Sequence, residues 1–235
     1  TRKESSAASD VYKRQGFSEA VEREAEDQEL PTLKGREDLR DVPFITIDPA
    51  DARDHDDAVY AVRDEDPRNE GGWIVWVAIA DVAAYVRPGS QLDREAREKG
   101  NSTYFPDRVE PMLPEVLSNR LCSLKEGENR ACLAVRMVFD KDGRKTGHRF
   151  VRGLMRSHAK LSYEQAQAAI DGQTDDTTGP IMEAILYPLW NAYHAMLKGR
   201  LKRSPLQIES AERRIRMAPD GGIASIEKRT SLEAH

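Results

Sequence analysis

The sequence predicts an α+β fold: a mixed or antiparallel sheet packed by helices. Two observations carry this. β-Branched and apolar runs bounded by breaker-rich turns recur at "VPFITID", "AVYAV", "GGWIVWVAIAD" and "ACLAVRMVF". Capped segments of helical period stand among and after them, at "LDREAREKG", "SYEQAQAAIDG" and "PIMEAILYPLWNAYHAMLKGRL", with no internal repeat. At 235 residues there is room for one large domain or two small ones.

In chain order, residues 1–15 are polar, rich in small residues and without a period, and read as a disordered leader or an expression remnant outside the fold. Residues 16–40 form a lead-in, with "FSEAVEREAEDQELP" a short acidic helix opened by Ser18 and stopped at Pro31. Residues 41–235 are the folded domain. "VPFITID" ends a strand at Asp48, "AVYAV" follows, and "RDEDPRNEGG" makes a hairpin-like connection to the long strand that Asp81 closes. "LDREAREKG" is a charged helix closed by Gly100, and two further strands flank the Asp-Gly turn of "FDKDGRKTGHRF". "SYEQAQAAIDG" is a capped helix. In the longest helix Ile181, Ile185, Leu189, Ala192 and Met196 share a face, Pro188 predicts a kink, and Tyr187, Trp190 and Tyr193 are expected in the core. "LQIESAERRIRMAPDGGIASIEKR" reads as a hairpin turning at "PDGG". A helix opened by Ser231 and abandoned after "LEAH" is too short to be stable, which predicts a domain truncated at its C-terminal end.

Composition narrows the function classes. Hydrophobic residues are 39% and charged residues 33% of the chain, as in soluble globular proteins. No apolar run approaches the roughly 20 residues of a membrane helix and no signal segment opens the chain, so the expectation is a monomer in the cytoplasm, with no membrane partner. Cys122 and Cys132 are too few for a disulfide framework and lack the paired spacing of a zinc site, so both read as buried thiols. The net charge of −5 does not advertise a nucleic-acid partner, but residues 148–160 are basic without an acid, and residues 198–216 carry seven basic side chains against two glutamates.

The strongest chemical signal is "TIDPADARDHDDAV", which sets Asp48, Asp51, Asp54, Asp56 and Asp57 directly after a strand. Two carboxylates about 6 Å apart repel by roughly 3 kcal/mol at an effective dielectric of about 20, so such a cluster must be relieved by solvent, by protonation or by a divalent cation. In an extended segment Asp54 and Asp56 share a face and Asp57 points the other way, with Asp48 joining if the loop curls back. An EF-hand counted from Asp54 matches Asp56 and Glu65 but fails at Ala58 and at Val59, where the sharp turn requires glycine. His55 has no second histidine or cysteine nearby to share a zinc ion and reads as a loop residue pointing elsewhere. Carboxylate oxygens suit magnesium or manganese, and an oxygen-only shell beside basic patches points to phosphoryl chemistry, either a phosphodiesterase or a phosphatase.

The segments "DVPFITIDPADARDHDDAVYAV", "GGWIVWVAIADVAAYVRPGSQLDREAREKGNSTYFPDRVEPMLPEVLSNRLCSL" and "RGLMRSHAKLSYEQA" resemble, in the same order, the RNB catalytic domain of the ribonuclease II family. The resemblance runs from about Phe17 to His235. It implies a 3′-to-5′ exoribonuclease that hydrolyses single-stranded RNA to nucleoside 5′-monophosphates with Mg2+, or Mn2+ in its place. By motif it implies catalytic roles for Asp48, Asp54, Asp56 and Asp57. Asp48 and Asp57 would be the principal metal ligands, Asp54 would support the metal or the terminal nucleotide, and Asp56 would stand closest to water activation. Tyr104 in "NSTYFP" would stack on bases near the 3′ end, while Ile208 stands where the family carries a phenylalanine on the other side of that clamp. Further RNA contacts and the RNA-binding barrels of the family would lie outside residues 16–235. Two other functions compete: a non-catalytic RNA-binding scaffold on the same fold, and a magnesium-dependent phosphomonoesterase.

Overall fold

The computed structural model describes residues 16–106, 108–205, 213–228 and 232–234. The expected leader, Ile208 and the Ser231 cap lie outside the described residues. In chain order the elements are α1 (Glu19–Glu26), β1 (Glu37–Leu39), β2 (Ile45–Asp48), β3 (Asp57–Arg63), β4 (Trp73–Ala80), α2 (Gln91–Lys99), β5 (Thr103–Tyr104), β6 (Val109–Glu110), β7 (Asn129–Phe139), β8 (Lys145–Arg156), β9 (Ala159–Ser162), α3 (Tyr163–Ile170), α4 (Tyr187–Leu201), β10 (Arg213–Met217) and β11 (Ile223–Lys228). They fall into two compact units.

The larger unit (Leu30–Asp81, Cys122–Glu209 and Ser231–His235) is built on a seven-stranded sheet of order β1-β8-β7-β4-β3-β2-β9. The five inner strands are antiparallel neighbours, while β1 runs parallel to β8 and β9 parallel to β2. Alternation in β3 and β4 sets Ala61 opposite Val75, and Val75 opposite Met137 of β7. Against this row lie Leu189, Ala192 and Met196, the helix face expected from the sequence. Ile181 and Ile185 continue that face into a second cluster with Ile45, Leu161, Ala166 and Ala169. Each large apolar side chain buried there contributes about 1.5–3 kcal/mol. Phe44 and Trp76 meet edge to face, with ring centroids 6.2 Å apart. Ser162 and Gln165 form a reciprocal capping box at the start of α3.

Three features differ from expectation. Just ahead of Pro188, residues Met182–Leu186 form one widened turn in which the Tyr187 N–H donates to the Met182 carbonyl, five residues back. Pro188 then falls in the first turn of α4, where a missing N–H leaves no bond unmade. Tyr187, Trp190 and Tyr193 do not enter the core. Tyr187 is 41% exposed, and Trp190 packs against Tyr193 and His194 at 5.6 and 5.4 Å along the flank beside the aliphatic face. Finally, β1 sits within the expected lead-in and β9 within the basic stretch. Both are short strands ordered by parallel pairing, β1 without any apolar alternation and β9 with only Ala159 and Leu161 turned inward.

The turn between β7 and β8 meets the last turns of α4 through two glycines. Gly143 has φ +76°, and a Cβ there would overlap the Ala195 carbonyl oxygen; a Cβ on Gly199 would stand 2.6 Å from the Gly143 oxygen. Lys198 and Lys202 each place Nζ 3.1 Å from Asp142 Oδ1 across the same contact.

The smaller unit (Thr1–Glu29, Val82–Leu121 and Ser210–Thr230) contains α1, α2 and the hairpins β5–β6 and β10–β11. Ser18 stands at the N-terminus of α1 but makes no side-chain capping bond, its hydroxyl donating instead to Glu95 Oε2 at 3.0 Å; Val21 and Ala25 of α1 are buried, and Ser90 Oγ caps α2 by accepting from the Asp93 N–H. Glu24 Oε2 accepts from the Leu92 N–H at 3.1 Å and ties the two helices together. The Tyr85 hydroxyl donates to the Leu121 carbonyl at 3.0 Å.

Gly143→Ala should destabilise the protein by on the order of 2 kcal/mol, because strain and a steric clash coincide there. Thermal melting should show a midpoint lower by about 4–8 °C; an unchanged midpoint would mean that the turn does not bear on α4.

Candidate active site

β2 ends at Asp48 and β3 begins at Asp57, and the two strands pair antiparallel with Ile45 opposite Val59. The pairing therefore brings both aspartates to the same end of the sheet and leaves Asp54 and Asp56 on the short connection between them. The Ala52 N–H donates to the Pro49 carbonyl at 2.9 Å and turns the loop. The Ala80 N–H donates to the Asp56 carbonyl at 2.9 Å and fixes the loop's far end to the close of β4. Asp51 lies exposed in the turn.

The carboxylates share one electrostatic field. Burial is the first cause that pushes the Asp56 carboxyl above its usual range, followed by the charges of Asp54, Asp57 and Asp48, with His55 opposing. Asp57 is raised by burial and then by Asp48. Among the described residues, no three His, Cys, Asp or Glu side chains stand close enough together to hold a metal ion between them. The structure thus brings the four aspartates into one neighbourhood without gathering them into a coordination sphere. As a donor set they are oxygen-only and anionic, which is the chemistry that suits a hard divalent cation.

His55 does not point elsewhere, as its place in the loop suggested. It is 3% exposed, and its Nδ1 lies 2.8 Å from Asp48 Oδ2. Its N–H donates to Ser123 Oγ at 3.1 Å and its carbonyl accepts from the Leu124 N–H at 2.8 Å. Ser123 and Leu124 are thus part of the site's framework. Only tertiary pairing across 68 residues reveals them, and "RLCSL" carries no local signal for that role.

Burial pushes the thiols of Cys122 and Cys132 up to about 12, so neither is a thiolate nucleophile near neutral pH. Cys122 also feels the charge of Asp56, which places it beside the loop. Tyr104, in β5 of the smaller unit, is 70% exposed, so it is a surface aromatic and not a core residue. Among the described residues, no helix is long and apolar enough to cross a membrane.

Residues 36–235 match the family model described as "RNB domain", and the chain belongs to that family. The resemblance read from the aspartate motif and the α+β class are both borne out. Among curated proteins the chain is similar to Ribonuclease R of Escherichia coli (strain K12), 43% identical over 94% of this chain and 26% of that protein. It is similar also to Ribonuclease R of Acidithiobacillus ferrooxidans, 47% identical over 75% of this chain and 39% of the relative. Among solved structures it resembles Mycoplasma genitalium RNase R in complex with ribose-methylated single-stranded RNA, with a TM-score of 0.85 and 28% identity over 93% of this chain and 34% of that one. The chain spans about a quarter of the length of the first of these relatives.

An aspartate whose folded pKa lies above its unfolded one binds more protons in the folded state. Its stabilising effect is complete at low pH and is lost as pH rises through the raised value. In the presence of EDTA the protein should therefore lose stability from about pH 4 upward as Asp56 and Asp57 ionise. Both side chains reach solvent, which screens the effect, so Asp56→Asn should raise the melting midpoint at pH 7.5 by only about 1–2 °C, with no gain at pH 4. A gain at pH 4 equal to that at pH 7.5 would contradict the electrostatic origin.

Proposed function

We propose that the chain carries the aspartate site of a 3′-to-5′ exoribonuclease that hydrolyses single-stranded RNA to nucleoside 5′-monophosphates with a carboxylate-held divalent cation, magnesium or manganese in its place. The observation that carries this reading is the convergence of Asp48, Asp54, Asp56 and Asp57 on the β2–β3 connection, where the Asp56 and Asp57 carboxyls are raised by burial and by like charge. Membership of the RNB family and relatives named Ribonuclease R support it.

Asp48 and Asp57, delivered by two paired strands, would be the principal residues holding a cation, with Asp54 supporting the cation or the terminal nucleotide. When bound, a divalent cation neutralises the phosphate and stabilises the leaving 3′ oxygen. Asp56 would be the residue that activates the attacking water. A carboxylate with a raised pKa is the stronger base, so it is suited to take the proton as the water attacks phosphorus. The leaving group is the 3′ oxygen of the penultimate nucleotide, and the terminal nucleotide departs with its 5′ phosphate. Tyr104 supplies a face on which any base can stack, a recognition mode that tolerates every sequence. The expected setting is the cytoplasm, with the protein acting as a monomer.

With 5′-labelled single-stranded RNA and magnesium, the wild type should shorten the RNA progressively from its 3′ end, while Asp56→Asn should bind it without shortening it. Retained cleavage by that variant would refute the role of Asp56, and release of inorganic phosphate from a nucleoside 5′-monophosphate would favour a phosphomonoesterase. Tyr104→Ala should weaken RNA binding by about 1–3 kcal/mol in a fluorescence-anisotropy titration. No weakening would remove Tyr104 from the RNA path.

A further inference from the structure

The aspartate loop is gripped at one residue by a segment that belongs to no strand of the β2–β3–β4 hairpins. Between Asp54 and Asp56 the chain passes through His55, whose N–H, carbonyl and ring Nδ1 are all engaged. Its N–H donates to Ser123 Oγ at 3.1 Å, its carbonyl accepts from the Leu124 N–H at 2.8 Å, and its ring nitrogen Nδ1 meets Asp48 Oδ2 at 2.8 Å. Because a carboxylate oxygen only accepts, the ring donates from Nδ1. Ser123 is fully buried, and its own carbonyl accepts from Arg130 Nε at 2.8 Å and from the Lys125 N–H at 2.8 Å. Arg130 is buried too, so the segment is itself immobilised from below.

We propose that Ser123 is a positioning residue of the aspartate site, acting through the His55 backbone to set where Asp54, Asp56 and Asp48 stand relative to one another. This rests on the reading of those aspartates as cation ligands and catalytic groups. The hydroxyl of Ser123 is the side-chain acceptor recorded for the His55 N–H, and that N–H lies one peptide from each of two functional aspartates. The Asp54–His55 peptide is held through its N–H and the His55–Asp56 peptide through its carbonyl, so neither can rotate without breaking a hydrogen bond, and the directions in which Asp54 and Asp56 leave the loop are restrained. The His55 ring carries the same restraint across to Asp48 at the end of β2. Like-charged carboxylates left to themselves turn apart, and a rigid peptide between them opposes this.

The test is Mn2+ binding to the full 235-residue chain, read by the electron paramagnetic resonance of free Mn2+, for the wild type, Ser123→Ala, Ser123→Cys, Ser123→Thr and Asp57→Asn. Near-UV circular dichroism checks the fold of each. Ser123→Ala should weaken Mn2+ binding by about 10–100-fold, as loss of an outer-shell partner does. Ser123→Cys, which keeps the volume but not the oxygen acceptor, should track it, and Ser123→Thr should recover most of the affinity. Wild-type affinity in Ser123→Ala, or in Ser123→Cys if the alanine variant does not fold, would overturn the proposal. A folded Ser123→Thr as weak as Ser123→Ala would also overturn it, since the hydroxyl would then not be the determinant. Asp57→Asn separates the two levels. If it binds Mn2+ as the wild type does, the cation reading itself fails; if it loses affinity while Ser123→Ala keeps it, only the positioning role fails.

Discussion

Antiparallel pairing of β2 with β3 brings the end of one strand to the beginning of the next, and in this chain both of those positions are aspartates. Two more lie on the connection, so the sheet concentrates negative charge at a single corner, and much of the surrounding structure counteracts the repulsion that results. Main-chain bonds from Ala80 to Asp56 and from Leu124 to His55 hold the loop where four carboxylates acting alone would spread it. Burial makes the opposition sharper, because it raises Asp56 and Asp57 in addition to what their neighbours do.

Asp81, at the close of β4, shows the other way a chain can handle a buried carboxylate. The Arg36 guanidinium stands 2.8 Å from its Oδ2 and Arg152 Nε 3.4 Å away. By distance these are ion pairs, yet that oxygen has no aligned hydrogen bond, so the compensation is a matter of charge more than of direction. Arg36 also donates to the Gly153 carbonyl, which fastens the approach to β1 onto β8. One carboxylate of the sheet is thus neutralised by arginine and serves structure. Asp56 and Asp57 stand instead among like charges, which add to the burial that raises their carboxyls.

Much of this was legible in the sequence because it is written locally. The inner strands announce themselves as β-branched runs, the Asp-Gly turn and the Ser162 cap by their residues, and the aspartates by their density. What escaped is held by partners distant along the chain. β1 is the tripeptide Glu37-Asp38-Leu39 and becomes a strand only because β8 lies beside it; β9 depends on β2 in the same way. His55 looked like a bystander because its partners are Asp48 on one side and Ser123 and Leu124, about 68 residues on, on the other. The proline in the long helix signalled a disturbance correctly. The widened turn just ahead of it depends on backbone geometry and not on residue type.

The two short parallel strands also govern how the sheet meets other chains. A sheet edge offers unpaired N–H and carbonyl groups that can recruit a strand from a neighbouring molecule. Here the outermost strands are only three or four residues long and both carry charge, and β1 covers just Gly153–Met155 of the twelve-residue β8. Glu37 of β1 is paired with Arg149 at 2.7 Å, and in β9 the Lys160 N–H is taken by Glu126 Oε2 at 3.2 Å. Strands so brief and so charged are poor templates for strand addition, and the length of β8 beyond β1 carries Lys145, Arg149 and Arg152, charges of the kind that discourage a neighbouring strand from pairing there.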